Sequence, residues 1–421
     1  PIWNPDLINK VSTAIHNEAR AVGMNQVLSP VLDVAREQRW GRVEETYGED
    51  PYLIGQMAHA FITGLQQGNN DRKTIAATPK HFIAYSEPRG GLNLASSPGG
   101  WYNLYNIHFP PFKKVVRDAD VLSLMNSYNS YDGYPVSSNH KILTEILRKR
   151  WGFDGYIYSD WGSIHMIHSF HKTAKSTAEA GKFAVEAGID LEAPGPACYQ
   201  HLDSLVRNNI VDKQVIDTAA ARVLRTKFKI GLFEDPFVDI DEVEKRINTK
   251  EHIKLSKKVA DESLVLLKND DNILPISGNI NSIAVIGPNA DQVQFGDYTW
   301  SRNNQDGITV LEGIQQVAET NTKINYAKGC DLTSLDKSGF PKAIQAARTS
   351  AVAIVCIGTA SASLARDYSK ATSGEGFDLA DTSPTGVQLE LVKQIHKTGT
   401  PTIVVLIQGK PFSISWMKAN I

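Results

Sequence analysis

The chain has 421 residues, of which 42% are hydrophobic and 21% charged, with a formal net charge of −2. That length is too great for one ordinary hydrophobic core and predicts two or three domains of globular α/β composition. Balanced charge, with no Lys/Arg-rich stripe and interleaved aromatics, argues against a nucleic-acid surface, and no apolar run approaches the ~20 residues that a membrane helix needs. The expected ligand is therefore small and uncharged. Cys198, Cys330 and Cys356 are odd in number, far apart and without C-x-x-C spacing, which predicts buried free thiols. The chain opens at Pro1 with no leader to read, and a periplasmic or extracellular setting is expected over a cytoplasmic one.

In chain order, short apolar stretches at Val27–Val34, Ile75–Phe82, Val121–Tyr128, Tyr156–Asp160 and Gly188–Leu191 alternate with helical patterns. This alternation predicts parallel strands with crossover helices, a β/α barrel domain over residues 1–235. The stretches end in Asp33, Lys80 and His81, Tyr128 and Asn129, Asp160 and Glu192, and functional groups of such barrels sit at these C-terminal strand ends. Val215–Ile230 predicts a helix with Val215, Ile216, Ala219, Val223 and Phe228 on one face and Gly231 as its cap. Residues 236–280 read as a linker with one helix over Glu251–Leu267. From 281 to 421 the runs Ile283–Gly287, Ala351–Ile357 and Thr402–Ile407 predict buried strands of a second domain, an α/β sandwich. A full barrel needs eight strands, so either the barrel is incomplete or roughly three strands are expected upstream of Pro1, and the end at Ile421, without a cap, predicts a truncated second domain.

Asp160 follows an apolar, aromatic strand, and the neighbouring Trp161 offers a face on which a sugar can stack. On spacing alone, a strand-end Asp more often caps the following helix. The surrounding text changes this balance. Arg148-Lys149-Arg150-Trp151-Gly152-Phe153-Asp154-Gly155, leading into Ser159-Asp160-Trp161, resembles the nucleophile segment of the family 3 glycoside hydrolases. The similarity continues through Ser29–Arg36, Arg39-Trp40-Gly41-Arg42, Tyr47–Pro51, Lys80-His81-Phe82, Ser127-Tyr128-Asn129, Ser263–Asn269 and Leu274-Pro275.

The resemblance implies a barrel followed by a sandwich, with Asp160 as the nucleophile of a retaining mechanism. The acid/base is implied in Ser373-Gly374-Glu375-Gly376-Phe377-Asp378, as Glu375 on a mobile, glycine-rich loop. Retaining enzymes use two such carboxyl groups, one attacking the anomeric carbon and one protonating the leaving oxygen. Arg42, Lys80, His81 and Tyr128 match the family's sugar-contacting positions. Leu92 stands where a family Arg is expected, and Arg89, on the other side of Gly90-Gly91, is the candidate replacement. A family Asp that binds the distal hydroxyls is expected upstream of Pro1.

The implied activity is exo-acting release of terminal non-reducing β-D-glucose from a small oligosaccharide or glycoside, with no cofactor and no metal. A β-xylosidase is the alternative. A β-N-acetylglucosaminidase is disfavoured because Lys80-His81-Phe82 continues Ile83-Ala84-Tyr85-Ser86 in place of the Pro-Gly-His-Gly of that branch. The rival from another class is a non-catalytic glycan-binding homologue. An incomplete protomer would favour homo-oligomers.

Other signals are discounted. His165, His168 and His171 recur every third residue but lack an acidic partner at ligand spacing, and are expected as loop histidines near the sugar entrance. Ile286–Ala290 lacks G-x-G-x-x-G, and Pro288 removes a backbone donor that a dinucleotide turn needs. Glu44, Glu45, Glu49 and Asp50 read as a solvated acidic loop, in which only Arg42 has a strong functional claim, its alternative being a surface pair with Glu45 or Glu49.

Overall fold

A computed structural model describes residues 2–67, 74–270, 272–276, 278–299, 306–362 and 371–421. The chain forms two compact units: Pro1–Arg36, Thr46–Arg89 and Leu94–Val265 in the first, and Glu37–Glu45, Gly90–Asn93 and Leu266–Ile421 in the second. The division at Val265 falls inside the segment read as a linker. The second unit also takes two short pieces from the stretch assigned by sequence to the barrel. These pieces are held by the carboxylate of Asp378, which accepts from the backbone N–H groups of Gly41 at 2.7 Å and Asn93 at 2.6 Å.

In the first unit all five predicted stretches carry parallel pairing, each with its successor in the chain. Gln26–Val27 pairs with Ala76–Ala77, Ser123–Met125 pairs with Tyr156–Tyr158, and bridges join Val31 to Lys80, Phe82 to Asn126 and Tyr158 to Leu191. Helices Pro51–Gln67, Phe109–Asp118, Lys141–Arg150 and Thr177–Ala187 lie between successive stretches, giving the barrel connectivity. Leu32, Ala77, Leu124, Ile157 and Ile189 are fully buried, which is why these runs are apolar without alternation. Gly155 lets two strands approach closely, because a Cβ there would lie 2.4 Å from the Leu122 carbonyl oxygen.

An aromatic cluster locks the Lys80-His81-Phe82 segment. The Phe82 ring packs edge-on against Phe112 at 5.1 Å and Trp151 at 5.9 Å, and Trp151 meets Phe109 edge-on at 5.0 Å. Two sequence blocks far apart in the chain thus meet through one cluster. Phe82 fills the outer layer, and its neighbour His81 is left buried among polar strand ends.

Helix boundaries follow their caps. Asp50 accepts from the Leu53 N–H at 2.7 Å ahead of Pro51–Gln67, and Ser176 accepts from Glu179 ahead of Thr177–Ala187. The Lys213–Lys229 helix packs Val215, Ile216 and Ala219 with Val185, Leu202 and Val211. Phe228, expected on that face, is 58% exposed and stacks on Phe233 at 4.2 Å. The helix read over Glu251–Leu267 ends at Ser263, and no described helix is long and apolar enough to cross a membrane.

The second unit is a parallel sheet in the order Thr402–Ile407, Val352–Gly358, Ser282–Ile286, Lys323–Ala327. Helices Phe340–Arg348 and Gln388–His396 cover one face through Ala343, Ala347, Leu391 and Ile395, and Val310–Val317 packs through Leu311 with Ile283, Val285 and Ile354 on the other. This is the α/β sandwich. The edge strand Lys323–Ala327 was not expected, because Lys-Ile-Asn-Tyr-Ala alternates and is only partly buried. Strand order reverses between Ser282–Ile286 and Val352–Gly358, and sheets of this kind place functional loops beyond such a point. Cys198, Cys330 and Cys356 are free and buried as expected, and burial raises their thiol pKa values to about 12, 11 and 12.

One buried ion cluster ties the first unit together. Arg148 donates to the Gly155 carbonyl at 2.9 Å and the Gly188 carbonyl at 3.0 Å and pairs with Asp190, which also accepts from Arg222 at 2.9 Å and the Ile157 N–H at 2.8 Å. Burial pulls the guanidinium of Arg148 down to about 10 and pushes the Asp190 carboxyl up, while the pairing opposes both. Replacing Arg148→Ala leaves a buried carboxylate short of its main partner and is expected to cost about 3–5 kcal/mol in urea unfolding of the whole protein; a loss below about 1 kcal/mol would show that the cluster does not hold the strands.

Candidate active site

At the strand ends of the first unit, two of the predicted residues, His81 and Trp161, meet Asp160, which is buried. Its Oδ1 accepts from the Trp161 N–H at 2.8 Å, and its backbone N–H donates to Asn126 Oδ1 at 3.3 Å. The side chain does not cap the next helix, Ser163–Ser169, whose N-cap is Gly162. His81 Nε2 lies 3.6 Å from Asp160 Oδ2. On the other side of the imidazole, Asp33 Oδ2 accepts from His81 Nδ1 at 2.7 Å and from the His81 backbone N–H at 3.1 Å.

Aromatic edges continue this row: His81 meets Tyr85 at 5.2 Å, and Tyr85 meets Tyr128 at 5.7 Å. Tyr128 is buried, and Trp161 is 47% exposed, edge-on to Tyr158 at 5.9 Å. Lys80 is half-buried, its backbone tied to Pro30 and Leu32. Arg89 is exposed at the short helical turn Arg89–Gly91.

Sequence reasoning missed the polar scaffold beneath these groups. Asn126 Nδ2 donates to the Ser127 carbonyl, to Ser137 Oγ at 3.0 Å and to Ser163 Oγ at 3.1 Å, and Ser159 Oγ accepts from the Ala193 N–H at 2.8 Å. All four side chains are buried, and small polar residues within apolar strands were the available signal. Glu192 is turned to structural use, accepting from the N–H groups of Cys198 and Tyr199. His165 and His168 sit on the helix Ser163–Ser169, not on a loop, and His171 Nε2 lies 2.9 Å from the Tyr128 carbonyl oxygen.

In the second unit, Glu375 follows the strand Val352–Gly358 on the loop Ser373–Asp378. Arg42 Nη1 donates to Glu375 Oε1 at 2.9 Å, and the Tyr298 hydroxyl donates to Glu375 Oε2. The Glu375 N–H donates to Asp297 Oδ2 at 2.8 Å, and the Gly374 N–H to the Gly41 carbonyl at 2.9 Å. The loop is therefore tied to its neighbours by these hydrogen bonds. Its glycine at 374 serves conformation: φ is +104°, and a Cβ there would approach that of Ala362 to 2.8 Å.

Two expectations about the acidic run are corrected. Arg42 pairs with Glu45 through Nε at 2.6 Å and Nη2 at 2.9 Å, but the pair is buried, with side chains 2% and 9% exposed, and is no surface network. Glu44 is also drawn inward, accepting from the hydroxyls of Ser361 and Ser373 and from the Asp297 N–H at 2.8 Å. Glu49 and Asp50 are exposed as expected. A local sequence window could not reveal these partners, which lie 253 to 329 positions away.

A β/α barrel with an ionisable cluster at its strand ends, together with a doubly wound sheet carrying a carboxylate on a loop, defines a two-domain α/β protein. Residues 2–226 match the glycosyl hydrolase family 3 N terminal domain, and residues 264–421 match the glycosyl hydrolase family 3 C-terminal domain. The chain belongs to glycosyl hydrolase family 3. It is 40% identical to a β-xylosidase of Formosa agariphila over 100% of its own length and 59% of that protein's. It is 31% identical to a periplasmic β-glucosidase of Salmonella typhimurium over 98% of this chain and 56% of the relative. A solved β-glucosidase structure from Erythrobacter marinus superposes with a TM-score of 0.91 at 33% identity, covering 99% of this chain and 58% of that one. The chain thus spans less than two thirds of the length of each of these relatives.

Lys410 gives the loop a pH signature. It is buried and donates to the Phe377 carbonyl at 3.0 Å, and burial lowers its pKa from 10.5 to about 8, against the pull of Asp378 and Glu44. Between these two values the unfolded chain binds the proton more tightly, so Lys410 makes stability rise with pH from about 8 towards about 10.5 and contributes no slope below. Melting temperatures measured across that window should rise less steeply in Lys410→Met than in the parent; identical slopes would contradict the assignment.

Proposed function

We propose that this chain acts as a retaining, exo-acting β-glycosidase, with Asp160 as nucleophile and Glu375 as acid/base. The observation that carries this reading is the Asp160 carboxyl at a barrel strand end, one oxygen fixed by the Trp161 N–H and the other facing His81 Nε2. In the first step an Asp160 oxygen attacks the anomeric carbon while its bond to the leaving oxygen breaks, and Glu375 gives that oxygen a proton. In the second step the Glu375 carboxylate takes a proton from water, the water oxygen bonds to the anomeric carbon, and the Asp160 ester bond breaks. Two inversions give retention, and no step calls for a cofactor or metal.

Lys80, His81 and Tyr128 are assigned to sugar hydroxyls, and the exposed indole of Trp161 to stacking on the ring. Arg89 remains the candidate for an outer hydroxyl. Arg42 is assigned to Glu375, where its guanidinium stabilises the carboxylate left after the first proton transfer. A setting outside the cytoplasm accords with the relative named as periplasmic.

The first substrate proposed is a β-D-glucoside, in line with the Ser-Asp-Trp and Ser-Gly-Glu-Gly-x-Asp motifs and with the neighbour named β-glucosidase. The 40% identical relative named β-xylosidase favours a β-D-xyloside as the second reading. The ratio of kcat/KM for the 4-nitrophenyl glucoside and xyloside of the whole protein decides between them. A ratio above one is expected, a ratio below one gives the xylosidase reading, and turnover of neither, with retained sugar binding, gives the glycan-binding homologue. Asp160→Gly should lower kcat on the order of 10⁴–10⁶-fold. Glu375→Ala should cost about 10²–10⁴-fold on an alkyl glycoside and less on the nitrophenyl one. Full activity in either variant would remove that residue from its role.

A further inference from the structure

Asp33 is a strand-end carboxylate to which the proposed reaction assigns nothing, yet it is 2% exposed and directed at another side chain. A carboxylate accepts hydrogen bonds and does not donate them. With one oxygen, Oδ2, 2.7 Å from His81 Nδ1 and 3.1 Å from the His81 backbone N–H, it dictates that Nδ1 carries a proton and fixes the ring relative to its own main chain. The other ring nitrogen is thereby turned towards Asp160 Oδ2, at 3.6 Å. Tyr85, edge-on at 5.2 Å, closes the side of the ring, and all of these groups are buried.

We propose that Asp33 is a positioning residue for the reaction: it fixes the tautomer and orientation of His81 so that Nε2 meets the nucleophile Asp160. An imidazole held by a carboxylate at one nitrogen acts through the other, and without the anchor neither the tautomer nor the orientation of the ring is fixed. The kinetic part rests on the reading of Asp160 as nucleophile; the structural part does not.

Asp33→Asn keeps the shape and removes the charge, and its unfolding midpoint checks that the whole protein still folds. In [15N]histidine-labelled protein, with His81 assigned by its loss in His81→Gln, the parent should show the Nδ1–H form. Asp33→Asn should shift population to Nε2–H, and its kcat on an activated glycoside should fall by about 10²-fold or more, with KM changed by less than about threefold. An unchanged tautomer with kcat within about threefold of the parent would overturn the proposal, as would a rise in KM alone, which would make His81 a sugar-binding group only. If the parent hydrolyses no glycoside, the glycosidase reading fails. The ring signals still decide on Asp33 in that case: Nδ1–H in the parent and its loss in the variant support the assignment, and Nε2–H in the parent rejects it.

Discussion

Carboxylates taken out of water at the strand ends are the constraint from which much of this molecule follows. Moving such a charge into protein costs several kcal/mol unless donors meet it, and Asp33, Asp160, Asp190 and Glu192 are each met in a different way. Asp190 takes two guanidinium groups and a backbone N–H, Glu192 takes two backbone N–H groups, and Asp33 takes both donors of His81. Asp160 accepts from the Trp161 N–H, and the His81 imidazole lies 3.6 Å from its other oxygen.

The second unit solves the same problem for a loop. Glu44, Asp297 and Asp378 accept backbone N–H groups and hydroxyls, so that Glu375 rests on a frame of other carboxylates and their donors. Arg42 then reaches Glu375 from a base fixed by Glu45. Short side chains and glycine turns make this possible, since a Cβ on Gly41 would come within 2.1 Å of the Gly374 carbonyl oxygen. The result is a carboxyl group held by its neighbours, and the acid/base role we propose for Glu375 depends on such geometry.

The five barrel stretches were legible because strands buried on both faces leave continuous apolar runs, and the family was legible because the block leading into Asp160 is long and specific. Lys323–Ala327 was not, since an edge strand with one wet face reads as a mixed segment. Phe228 kept its helical spacing but found a ring partner outside the core. The larger failure was Glu44, dismissed as solvated: its partners Asp297, Ser361 and Ser373 are remote in sequence, and nothing in its own window distinguishes it from the exposed Glu49. Asp33 stood in plain view as a strand end, but its engagement with His81 depends on how neighbouring strands register, which apolar runs do not encode.

The central claim is that Asp160 forms a bond to sugar. A 2-deoxy-2-fluoro-β-D-glucoside with a dinitrophenolate leaving group slows both steps by destabilising the cationic transition state, while the good leaving group restores the first, so that the glycosyl-enzyme accumulates. Peptide mapping of the inactivated whole protein is expected to find one fluoroglucosyl group per chain, esterified to Asp160. A label on Asp33, Glu375 or any other carboxylate, or steady turnover with no trapped ester, would contradict the account.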